Sequence, residues 1–211
     1  MVLFEYGART PALVDFRFAP PFNRLRFATF LLTLAAATAA ASWPAAGRLG
    51  LTLAEAMAGA ASPVDLAAWA VTRDSAPRPD PALRAIGALT LVAALSGLAG
   101  AGAWIWFGEW PGDPERFNRW MNLPTFEPSD EGDAAPWLRR QGGLAALIGL
   151  ALPVALTGLG AGASRLFAAD LFAAPLAQVW AATIWAGLPA CVLLRAVALL
   201  KLARIARRDA P

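Results

Sequence analysis

Apolar residues gather into four long runs along the chain, Phe27–Trp43, Leu83–Phe107, Gly142–Ala163 and Leu176–Leu194, separated by polar and proline-containing segments. The shortest run has 17 residues, and a helix needs roughly 17–25 predominantly apolar residues to cross a bilayer. The pattern predicts an all-α polytopic membrane protein: a bundle of four transmembrane helices with short interfacial helices. It divides the chain into an N-terminal segment (1–26), a first helix pair (27–107) with an external connection (44–82), a loop (108–141), a second helix pair (142–196) and a basic tail (197–211).

The connections carry their own patterns. Ser62-Pro63-Val64-Asp65 is a helix start, with Ser as cap, Pro at the first position and an acid in the first turn. That helix should run to about Thr72 and yield to Pro77, Pro79 and Pro81. The preceding stretch, 45–61, is apolar with one acid, Glu55; it is expected on the outer surface, with a re-entrant course as the alternative. Asp113-Pro114-Glu115 repeats the helix-start logic and predicts two turns presenting Phe117, Trp120 and Met121. Val197–Asp209 alternates Leu and Ile with basic residues at helical spacing, so the fourth span should continue as an amphipathic helix. Pro20 and Pro21 break any helix running through the N-terminal segment, and Pro153 and Pro189 should bend the third and fourth spans.

Composition agrees: 58% of residues are hydrophobic and mean hydropathy is +0.51, far from a soluble norm. Basic residues set the orientation. Arg9, Arg17, Arg24 and Arg26, then Arg116, Arg119, Arg139 and Arg140, then Arg195, Lys201, Arg204, Arg207 and Arg208 occupy the three segments on one side of a four-span arrangement. Positive-inside bias makes that side the cytoplasm, with both termini inside; the excess of Arg over Lys, with abundant Ala, Gly and Pro, fits the codon bias of a GC-rich bacterial genome, so the expected setting is a bacterial inner membrane. Trp43, Trp104, Trp106, Trp110, Trp137 and Trp180 stand at span ends, where indole rings favour the headgroup level; Trp185 is deeper and expected to pack helices. A cleaved signal peptide is the rival for the first span, but its leading segment is too long.

Little chemistry is on offer. The sequence has no histidine, the usual ligand for haem, copper and catalytic zinc and the base of serine hydrolases. Cys191 is single and sits in the fourth run, as a packing residue. The acidic run Glu127–Asp133 lacks the spacing of a calcium loop, and GLGAGAS (158–164) lies at a span's end rather than between a strand and a helix. No cofactor is expected. A shared Phe-Asn-Arg at 22–24 and 117–119 is what chance gives in a chain of this length. No charged residue lies in the centre of a span, which argues against ion-coupled transport. The spans instead offer small residues at four-residue spacing: Ala93, Gly97 and Ala101, Ser96 and Gly100, and the pair Gly158 and Gly162. Such faces let helices approach closely.

These features point to a non-catalytic integral membrane subunit or assembly factor of a larger bacterial envelope complex, of secretion, conjugation or respiratory type. Its expected partners are membrane lipid and other membrane-protein subunits, not nucleic acid. Arg116, Phe117, Arg119, Trp120 and Met121 are the expected docking residues, since aromatics and Arg dominate interface energetics. The alternative is a membrane component of a small-solute transporter, its path lined by Thr29, Thr33, Thr90, Thr157 and Thr183. A lipid-modifying enzyme ranks behind both.

Overall fold

The computed structural model describes residues 19–59, 62–71, 80–112, 134–166 and 171–208. These are all-helical, with six helices and no strand: α1 (Pro20–Ser42), α2 (Pro44–Ala56), α3 (Pro63–Val71), α4 (Pro81–Phe107), α5 (Ala134–Leu166) and α6 (Pro175–Arg208). Four of them, α1, α4, α5 and α6, are long and apolar enough to cross a membrane. The chain is a multi-pass membrane protein.

Each described helix except α5 opens on proline, whose missing N–H and fixed φ suit the first turn. Proline explains why α1 begins at Pro20, seven residues ahead of the apolar run: Pro20 and Pro21 start the helix that they were expected only to interrupt. At α4 the Asp80 side chain accepts a hydrogen bond from the Ala82 N–H. At α3 the Ser62 hydroxyl accepts from the Asp65 N–H at 3.3 Å. α5 and α6 carry Pro153 and Pro189 within continuous helices. The basic tail extends α6 without a break to Arg208.

The helix ends sort into two layers. Phe22 of α1, Ala101 and Ile105 of α4, Leu138 of α5 and Leu194, Ala198, Leu199 and Leu202 of α6 form one buried cluster at the basic end. Ala37, Ile86 and Val179 form another at the opposite end. Neighbouring spans therefore alternate in direction. Among the described helices α6 is the central one, packed on α1, α4 and α5, while α5 packs mainly along α6 and to a smaller extent on α3. α4 and α5 lack comparable packing against each other, and α3 bridges them at the end opposite the basic one.

α2, the helix of the 45–61 stretch, lies against the bundle rather than apart on its outer surface. α2 turns back at Trp43 and packs on both α4 and α1. Gly50 lies so close to α4 that a Cβ there would stand 2.9 Å from the Ala85 carbonyl carbon. Ala54 is fully buried, in the cluster that holds Ala88, Ala94 and Trp185. Glycine at position 50 is what allows this approach; a helix floating on the surface would need no such gap.

Candidate functional site

The informative chemistry of this chain lies in its helix interfaces. Along the seam of α5 and α6, a Cβ on Gly142 would meet Leu200 at 2.9 Å, and one on Gly149 would meet Leu193 at 2.7 Å. Ala145 between them is buried. Seven residues forward on α5 correspond to seven backward on α6, the register of antiparallel bundle packing. Two turns further, the Trp185 Nε1–H donates to Pro153 O at 3.2 Å and to Thr157 Oγ at 3.1 Å. This polar clasp ties the two helices at mid-span. Elsewhere Gly97 faces Thr29 across the α1–α4 contact, and Gly187 faces Phe30 and Thr33 across the α1–α6 contact.

The small residues expected to pack divide sharply. Gly97 sits at a close contact, Ala101 is buried, and Ala93 is half-buried. Ser96 is exposed, and a Cβ at Gly100, Gly158 or Gly162 would meet nothing within 4 Å. Among the described residues those three glycines pack against no helix: they lie on the outward sides of α4 and α5. The contacts at Gly50, Gly142, Gly149 and Gly187 were not read from the sequence. For Gly142 and Gly149 a signal existed in their seven-residue spacing around Ala145.

Trp43, Trp104 and Trp180 are exposed, as an interfacial ring needs. Trp106 is half-buried beneath the Arg204 guanidinium, whose carbon is 5.7 Å from the ring centre. Trp137 packs on the cluster at the basic end. Trp110 differs from expectation. It is 4% exposed and sits in that cluster, its ring centre 5.9 Å from that of Phe22. The chain turns after α4, with Gly112 at φ 88°, and the turn folds Trp110 back under the bundle. Lys201 holds the same turn, donating to Gly108 O. Beside them Arg26 lies over the Phe22 ring, 5.6 Å from its centre, and Cys191 Sγ is 3.8 Å from Arg26 O. Trp185 packs helices, as its depth implied.

The span threonines are turned inward. Thr33, Thr90, Thr157 and Thr183 each donate to the carbonyl four residues back on their own helix. Thr29, Thr33, Thr90 and Thr183 are buried. Arg116, Phe117, Arg119, Trp120 and Met121 lie outside the described residues, as does the acidic run 127–133. Among the described residues no three His, Cys, Asp or Glu side chains gather as a metal site would require.

One cavity, of about 360 Å³, opens between α4, α5 and α6 beneath α3. Leu83 and Gly87, Leu156 and Gly160, and Ala182 and Ile184 are among the residues that line it. The Arg84 guanidinium meets the Asp65 carboxylate at 2.6 Å, fastening α3 to α4 at this end. No family model matches the chain, and neither the curated proteins nor the solved structures include a significant match to it.

Proposed function

We propose that the chain is a non-catalytic integral membrane subunit or assembly factor of a larger bacterial envelope complex. The observation that carries this reading is the outward stripe of α5. Leu147, Ala151, Ala155, Gly158 and Gly162 follow one another at steps of three or four residues, and all are exposed. Gly158 and Gly162 leave open space where a Cβ would be. Two adjacent backbone-exposing glycines on a helix that touches its own bundle along one side favour close approach of a helix from another chain. Arg116, Phe117, Arg119, Trp120 and Met121 are, by residue type alone, a second candidate docking element.

Transport of a small solute fits less well. Its path would need polar groups facing a passage, whereas the hydroxyls of Thr33, Thr90 and Thr183 are buried and bonded within their own helices. The proposed setting is the bacterial inner membrane with both termini in the cytoplasm, supported by arginines gathered at the end that holds the α1 N-terminus and the α6 C-terminus.

Recovery of the chain from native membranes in mild detergent tests the reading. Another membrane protein should co-purify stoichiometrically. Gly158→Leu with Gly162→Leu should remove it without lowering the thermal midpoint of the isolated chain, because neither glycine has a neighbour within the bundle. A chain that emerges alone and monomeric, with no co-purifying protein, refutes the subunit reading.

A further inference from the structure

We propose that the cavity between α4, α5 and α6 is a binding site for one acyl chain of an anionic membrane phospholipid, with α3 as its roof. Its size sets the first limit. About 360 Å³ holds roughly a dozen groups the size of a water or methylene, at about 30 Å³ each. A partner helix, about 10–12 Å across with its side chains, does not fit.

The lining sets the chemistry. Val64 and Ala67 from α3, Leu83 and Ile86 from α4, Leu156 and Leu159 from α5, and Ile184 from α6 present hydrocarbon. The polar side chains that reach the cavity are few and hold bonds within the bundle. Thr157 Oγ donates to Pro153 O and accepts from Trp185, whose one N–H is thereby used. Gln178 donates to Phe172 O from the loop before α6. A polar solute entering here would give up water for little in return, whereas a hydrocarbon chain gives up nothing.

Position identifies the source. Leu159 is 69% exposed and Ile184 is 42% exposed, yet both line the cavity, so its rim continues onto the outer surface of the spans. In a bilayer that surface faces lipid. The opening lies where α4 and α5 lack packing against each other. Arg165, exposed on α5, lies two residues beyond the lining residue Ala163 at the end of the cavity away from the basic end, while Arg84, next to the lining residue Leu83 on α4, is held there by Asp65. A chain lying in the cavity would bring its phosphate to that level, which favours an anionic headgroup.

Photolabelling of the purified chain tests this without any partner and independently of the subunit reading. The probe is phosphatidylglycerol carrying a diazirine on one acyl chain, at low mole fraction in phosphatidylcholine nanodiscs. Label mapped by mass spectrometry should be enriched at Leu156 and Ile184 over Leu147 and Leu150, which report bulk lipid on the outward face of α5. Gly160→Leu, which fills the cavity from α5, should abolish the enrichment and leave labelling at Leu147 and Leu150 intact. Ala67→Phe fills it from the roof and serves if Gly160→Leu lowers the thermal midpoint. A folded filling variant that keeps wild-type enrichment, or a wild-type chain with none, overturns the proposal. Enrichment displaced by an isoprenyl phosphate but not by excess unlabelled phosphatidylglycerol would overturn the assignment to phospholipid.

Discussion

Gly50→Ala separates two placements of α2 by the sign of one stability change. A helix resting on the outer surface gains from this substitution, because Ala is favoured over Gly in a helix interior by about 0.8–1 kcal/mol. In the structure the new methyl would stand 2.9 Å from the Ala85 carbonyl carbon and 3.2 Å from its Cα. Carbon atoms prefer about 3.5–4.0 Å, so the two backbones must part by somewhere near half an ångström to an ångström. The opposing atoms are backbone, and no rotamer change relieves the clash. Overpacking costs about 1–3 kcal/mol, and a clash against rigid backbone belongs in the upper half of that range, about 2–3 kcal/mol; less the propensity gain, the net loss is about 1–2 kcal/mol. For a chain of this length that is a fall in midpoint of several degrees, at about 2–4 °C per kcal/mol. Gly100→Ala is the matched control, since its methyl meets nothing; it should be neutral or stabilise by up to about 1 kcal/mol. Thermal unfolding of both variants in one detergent, followed by size exclusion after heating, reads the difference. A Gly50→Ala midpoint at or above wild type would show that α2 does not lie against the α4 backbone at this position.

Two further outcomes are expected. Thr33→Val and Thr183→Val should each cost less than about 1.5 kcal/mol and leave any activity of the protein intact, because each hydroxyl serves one intrahelical bond; a large functional loss with unchanged stability would restore the transport reading. In intact cells, a membrane-impermeant thiol reagent should label Ser75→Cys and miss Ser129→Cys on a Cys191→Ala background, and the reverse pattern would invert the proposed orientation.

The four spans were legible because length and apolarity suffice to mark a helix that must cross about 30 Å of hydrocarbon. Their ends were not, since Arg24 and Arg26 in α1 and Arg139 and Arg140 in α5 interrupt the hydropathy without interrupting the helix. Proline at Pro20 and Pro175 marked two true starts. The burial of Trp110 is illegible for a related reason. Its sequence neighbours Trp104 and Trp106 suggested an interfacial belt, but the turn through Gly112 brings the ring under Phe22, and nothing local in the sequence encodes that long-range contact.

Which glycines pack is a harder question, and the bilayer is the reason. In water, hydropathy separates the core face of a helix from its solvent face; in lipid both faces are apolar, and only residue size distinguishes them. α5 makes this concrete. Gly142, Ala145 and Gly149 form its face toward α6, while Gly158 and Gly162 lie on the outward side, in a stripe that begins with Leu147. A four-residue glycine spacing was present in the sequence, and it belonged to the face without a partner among the described residues; the seven-residue spacing belonged to the true seam. What separates them is the complement on the other helix: Leu193 and Leu200 stand seven apart on α6, large residues matched to small ones in antiparallel register. Gly158 and Gly162 have no such complement on α1, α4 or α6. Small-to-large matching between two apolar runs is therefore the signal for an internal contact in this chain, and a small pair left unmatched is the place to seek a contact with another.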